Sequence, residues 1–182
     1  MTYRAAPKER LAGKSIELRP AAEQDAAFIL QLRLDPALNA HLSTTAPDLA
    51  PQVDWLRKCA ADPDQYYFII EDKQGQPQGT IRIYDLRPDS FCWGSWIVQP
   101  GAPRKAAIES ALLVYEFGFY RLGFERCHFD VRKQNTRVVD FHQRFGARIV
   151  GETADDFLFN ILRSDYEATR EQYRAFLPET TP

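Results

Sequence analysis

An α/β fold, with a mixed but mostly antiparallel central sheet and helices on both faces, is what this sequence predicts. Three observations predict it. Three β-prone segments follow one another between residues 66 and 98 with only short turns between them, which is an antiparallel run. A strand, a helix and another strand then follow across residues 91–131, the order of a βαβ crossover. The complete order reads β, α, α, β, β, β, α, β, α, β, β, α, with no internal repeat and no low-complexity tract.

Residues 1–14 read as a flexible N-terminal arm, residues 15–177 as a single domain and residues 178–182 as a tail. Ser15 to Arg19 (SIELR) is a short strand that Pro20 stops. The stretch AAEQDAAFILQLRLD is an amphipathic helix with Phe28, Ile29 and Leu32 inward, ended by Pro36. Residues 36–51 are polar and punctuated by proline, so they read as a loop region. Helical spacing resumes from Pro51 to Ala61 through Val53, Leu56 and Ala60.

The meander follows as YYFIIED (66–72), GTIRIYDL (79–86) and FCWGSWIV (91–98), with Gly75 and Pro77 in the first turn and RPDS as the second. Ile108, Ala111, Leu112, Tyr115 and Phe119 then repeat at helical spacing. Glu125 to Val131 is the next strand. Asn135 to Phe145 is a helix carrying Val138, Phe141, His142 and Phe145 on one face, closed by Gly146. ARIVGE and DFLFNIL are two further strands, and SDYEATREQYRAF is a final charged helix.

A chain of 182 residues with net charge -2 makes one core of ordinary size and no overall basic field. Nucleic acid is therefore not an expected partner, and any anion site must be local. No apolar run is long enough to span a bilayer, and the charged N-terminus lacks a secretory core, so no membrane is expected. Cys59, Cys92 and Cys127 are widely spaced and odd in number, which suits reduced thiols in the cytoplasm.

The sequence is organised around residues 89–120. A strand ending near Val98 feeds a helix through a loop containing Pro100, Gly101 and Pro103, with Arg104 and Lys105 at the helix entrance. Such a junction offers unpaired backbone N–H groups and the positive end of a helix dipole, a physical site for phosphate.

This order, with WIVQPGAPRKAAIES (96–110) and NTRVVDFHQRFGAR (135–148), resembles the GNAT superfamily of acyl-CoA N-acyltransferases from Ser15 to about Leu162. The resemblance implies a fourth and fifth strand that splay apart, with the acyl-CoA pantetheine in the gap pairing with the fourth strand. It implies acetyl-CoA as co-substrate, no metal, and direct transfer to an amine. The cofactor-binding residues it points to are Ile97, Val98, Gln99, Gly101, Arg104, Lys105, Ala106 and Asn135. The loop departs from the family's glycine-rich form, since Pro103 stands inside it and the paired glycines are not both present.

His142 stands where the family has a Tyr, and is the candidate acid for the departing thiolate. A core histidine on an apolar face is the plain alternative, as a helix N-cap is for Asn135. Asp130 is the candidate base, sharing a strand face with His128; Asp85 and His41 are further candidates. Asn39, His41, Tyr84 and Trp93 are candidate contacts for a small polar acceptor, and Ser43, Thr44 and Thr45 add hydrogen-bonding capacity.

The acceptor expected is a primary amine on a small molecule, an amino sugar or a nucleotide-linked amino sugar, with a homodimer left open. Acetylation of a protein N-terminus, or a non-catalytic acyl-CoA-binding module, are the alternatives.

Overall fold

The computed structural model describes residues 6–179. Its strands are β1 (Leu11–Ala12), β2 (Ile16–Pro20), β3 (Tyr66–Asp72), β4 (Pro77–Tyr84), β5 (Ser90–Val98), β6 (Arg126–Arg132), β7 (Arg148–Glu152) and β8 (Asp156–Leu162). Its helices are α1 (Ala26–Leu34), α2 (Leu49–Ala61), α3 (Ala106–Glu116), α4 (Thr136–Arg144) and α5 (Arg163–Gln172). The strands form one sheet in the order β1-β2-β3-β4-β5-β6-β8-β7. Every neighbouring pair is antiparallel except β5 and β6, which are parallel.

Alternation along β3 distributes the core. Phe68 and Ile70 join the larger cluster with Leu112, Tyr115 and Phe119 of the α3 segment. Tyr67 and Ile69 face the other way, toward Ala26, Ile29 and Leu56 of α1 and α2. The sheet thus carries helices on both faces because β3, near its middle, is apolar on both. A π turn, Phe117–Arg121, extends α3, with the Leu122 N–H donating to the Phe117 carbonyl at 2.9 Å.

The expected order of elements is present, and one strand is added to it. Residues 1–5 lie outside the described residues, but residues 6–14 lie against the domain and do not stand apart as an arm. Leu11 and Ala12 pair with Leu18 and Glu17. Lys8 Nζ donates to the carbonyls of Cys59, Ala60 and Asp62 at 2.8, 2.9 and 2.6 Å, a cation on the open C-terminal end of α2. Arg19 holds Asp25 and Glu71 at 2.8 and 2.6 Å, and Arg10 reaches the same Glu71 at 2.9 Å. The buried Glu109 of α3 accepts from the Ser15 amide and hydroxyl at 2.8 and 2.7 Å. The β1–β2 turn is thereby tied to the helix behind the sheet.

Candidate functional site

β5 and β6 pair only at Ser90–Arg126 and Phe91–Cys127, and then part. From Cys92 to Val98 the edge of β5 on that side has no strand partner among the described residues, so its backbone groups are open to another chain of amides. The opposite edge pairs with β4: Tyr84–Cys92, Ile83–Trp93, Arg82–Gly94, then Thr80–Ile97. One residue of β4, Ile81, is there matched by two of β5, Ser95 and Trp96, which is a bulge. Ser95 lies in it with φ 48, and the Ser95 carbonyl accepts from Thr80 Oγ1 at 2.7 Å. The extra residue resets the alternation. Trp93 and Trp96, three apart, therefore both lie near His142, at ring distances of 5.2 and 6.3 Å.

His142 bridges the parted strands. Its ring sits 5.2 Å from Trp93 of β5 and 4.3 Å from Phe129 of β6, and it is 4% exposed. Its Nδ1 has no hydrogen-bond partner among the described residues, and burial holds its pKa down to about 3. The imidazole is neutral at physiological pH, so the acid role expected of it would draw on a neutral ring N–H. Trp96 closes one side, with Nε1 donating to Ser110 Oγ at 3.1 Å and its ring 5.0 Å from Phe141.

At the mouth of the gap, Gln99 is anchored to β4: its amide donates to the Gln78 carbonyl at 2.9 Å and its Nε2 to Gln78 Oε1 at 3.1 Å. Gly101 has φ 92, a conformation that glycine takes without strain. The Ala106 amide donates to the Pro103 carbonyl at 2.8 Å, whereas those of Arg104 and Lys105 have no backbone acceptor among the described residues. The Arg104 side chain is exposed, and Lys105 Nζ lies 4.8 Å over the Phe176 ring. Ile97 and Ala106 are buried and Val98 is half-buried. Asn135 occupies the N-cap of α4 without a side-chain cap bond, so its amide side chain is not spent on the helix.

The opposite face of β5 is polar. Arg82 and Tyr84 of β4, Cys92 and Gly94 of β5, and His128 and Asp130 of β6 share it by register. His128 lies between Ser90 Oγ on Nδ1 and Asp85 Oδ2 on Nε2, each at 2.9 Å. Burial lowers its pKa, while the His128 and Arg87 hydrogen bonds lower that of Asp85. Ser90 is 0% exposed, so this string closes the paired end of the strands and offers no nucleophile. Burial pushes the Cys92 thiol up to about 12 and raises the Tyr84 phenol too. Asp130 is exposed and, among the described residues, has no hydrogen bond or ion pair.

Farther along this face lies a pocket of about 300 Å³ between α1, residues 43–45, α2 and β4. Ser43, Thr44 and Thr45 line it as their composition suggested; Asn39 and His41 do not, and His41 is exposed. Trp93 is not an acceptor contact. It is 4% exposed and turned into the core against Tyr115, because neighbours on a strand point to opposite faces. Arg33 and Arg82, which line the pocket, escaped the sequence reading. Their only signal was an arginine inside an amphipathic helix and another in an apolar strand.

The sequence over residues 15–148 matches the model of the acetyltransferase (GNAT) domain. No curated protein matches the chain. Among solved structures, apo FdhC, described as a nucleotide-linked sugar GNAT, superposes with a TM-score of 0.84 at 40% identity, covering 93% of this chain and 98% of that one. A GCN5-related N-acetyltransferase from Brucella melitensis has a TM-score of 0.81 at 22% identity, covering 98% and 89%. Spermidine N-acetyltransferase from Vibrio cholerae, in complex with CoA and spermine, has a TM-score of 0.76 at 17% identity, covering 84% and 98%. The last two bear on the fold alone.

Proposed function

The chain belongs to the GNAT acetyltransferase family, and from that membership we propose that it moves an acetyl group from acetyl-CoA directly to the primary amine of a nucleotide-linked amino sugar. The observation that carries the reading is the open edge of β5 beside β6, from Cys92 to Val98, which leaves backbone donors and acceptors where an amide-bearing pantetheine would pair.

Acetyl-CoA supplies the activated acyl group. The free amides of Arg104 and Lys105, the Arg104 guanidinium and the N-terminus of α3 are suited to its diphosphate, and the uncommitted Asn135 amide to the pantetheine. Asp130 is suited to orient the acceptor amine and to take its proton as the new N–C bond forms. His142, neutral and beside the parted strands, offers an N–H to the thioester sulfur and not a charged acid. Its aromatic surroundings keep water from the thioester.

The acceptor reading is supported by the pocket, whose lining is polar and aromatic and contains no acidic residue. A polyamine or basic peptide would call for carboxylates there. The test is thiol release from acetyl-CoA against nucleotide-linked amino sugars, free amino sugars, spermidine and peptide N-termini, alongside calorimetry with acetyl-CoA. Release is expected with the nucleotide-linked sugars above all others. Tight acetyl-CoA binding without release for any amine would instead mark an acyl-CoA-binding module, and no binding would end both readings.

A further inference from the structure

We propose that Arg33 and Arg82 form a phosphoryl-binding subsite, which takes the diphosphate of the nucleotide-linked acceptor in the pocket between α1, α2 and β4. The inference rests on the transferase reading and goes past it, by assigning the acceptor's anionic part to two named side chains.

Charge is the first observation. Arg19 and Arg170, like most described arginines, are paired with carboxylates. Arg33 and Arg82 have no acidic partner among the described residues, and no Asp or Glu lines the pocket they share. Two guanidinium groups face one cavity with nothing to balance them.

Preorganisation is the second. Arg82 is sandwiched between the Trp55 ring at 5.1 Å and the Tyr84 ring at 4.1 Å, and its Nη1 donates to Gln65 Oε1 at 3.2 Å. Arg33 donates through Nε to Thr45 Oγ1 at 2.6 Å and through Nη2 to Ser43 Oγ at 2.8 Å. Both planar forks are fixed before any ligand arrives, which lowers the entropy lost on binding.

Unmet donors are the third. Gln52 lines the pocket at 8% exposure, and among the described residues its Nε2 has no acceptor and the buried Nε of Arg82 has none either. Buried polar groups left unpaired are unfavourable, and both orphans here are donors. That surplus of donors at the pocket wall suits a ligand made only of acceptors, and phosphoryl oxygens are that ligand. A volume of about 300 Å³ leaves room for two phosphoryl groups with part of what they carry. Ser95, at the bulge of β5, lines the same pocket, so a bound diphosphate would lie beside the strand whose free edge borders the gap.

The experiment is calorimetry on the full chain with coenzyme A at saturation, so that the ADP end of the cofactor site is filled. Inorganic pyrophosphate and uridine diphosphate are the titrants. Both are expected to bind, more weakly as salt rises. Arg82→Gln and Arg33→Gln are each expected to weaken binding about ten-fold or more, with Arg82→Lys between. Arg33→Gln also loosens residues 43–45, so thermal melting is followed; if that variant fails to fold, Arg82→Gln and Gln52→Ala decide.

No binding of pyrophosphate to the unaltered protein, or equal binding to every variant, overturns the proposal. Kinetics give a second readout: the preference for a nucleotide-linked over an unphosphorylated amine should fall in Arg82→Gln through KM. Loss of acetyl-CoA binding to the unaltered protein would strike the transferase reading. Intact acetyl transfer with no pyrophosphate binding would strike the phosphoryl subsite alone.

Discussion

The hydroxyl of Thr80 donates to the carbonyl of Ser95, 2.7 Å away across the bulge in β5. Thr80 is 0% exposed, so no water replaces that bond if it is removed. It fixes the place where β5 changes direction, and so where Trp96 meets Phe141 and where the pocket lined by Arg33 and Arg82 begins.

Thr80→Val should leave that carbonyl short of its donor and lower the unfolding free energy by about 1–3 kcal/mol. Ser95→Gly should act in the opposite sense, by about 0.5–1 kcal/mol, since a left-handed φ of 48 is unfavourable for serine and free for glycine. Urea denaturation of the two variants checks the pair. Equal stability in both would mean that the bulge is held by something else.

Acid should unfold this protein partly through His142. Its folded pKa is about 3 and its unfolded value is about 6.5, so between those values the unfolded chain binds a proton that the folded chain refuses. Stability is therefore lost as pH falls through that window, by about 2 kcal/mol between pH 7 and pH 5. Burial shifts His128 in the same direction. Urea titrations at the two pH values should show His142→Phe losing visibly less than the unaltered protein; the same slope in both would contradict the burial argument.

For the chemistry, His142→Phe should lower kcat by about ten-fold while acetyl-CoA affinity holds, the signature of a contact made in the transition state. Unchanged turnover would return His142 to a packing role.

Asp130→Asn should lower kcat/KM by about a hundred-fold, with the cofactor dissociation constant within about two-fold. Asp130 is exposed and makes no hydrogen bond or ion pair among the described residues, so the fold should be untouched and the melting temperature should stay put. A variant that keeps full activity would place proton removal on water or on another side chain.

Gly118→Ala tests the π turn. A Cβ at Gly118 would run into the ring of Phe91, which is fully buried, and overpacking of that kind is unfavourable by about 1–3 kcal/mol. Phe91→Leu in the same chain should recover part of the loss. A neutral Gly118→Ala would mean that the turn opens readily.

The order of elements was legible because most of them are long enough to show a period. Two-residue β1 shows none, and what holds residues 6–14 is a set of long-range bonds from Lys8 and Arg10, invisible to local pattern. β4 ends at Tyr84 and not at Leu86 because Asp85 takes φ 47, a turn that no glycine or proline announces. FCWGSWIV reads as an even strand, in which positions 93 and 96 would point to opposite faces; the bulge instead brings both tryptophans near His142. His142 on an apolar helix face was visible, and its burial agrees with the plain reading of that face. Arg82 in GTIRIYDL looks like a solvated position. Only the fold lays Trp55 over it, from a helix more than twenty residues earlier in the chain.

Chain order separates the two halves of this site. Apart from Ser95, the residues lining the acceptor pocket run from Arg33 to Arg82, whereas the rings around the parted strands run from Trp93 to His142. The turn at residues 85–89 lies between them. On the proposed function, a recombination event in that turn would exchange the acceptor preference and leave the thioester-handling half unchanged.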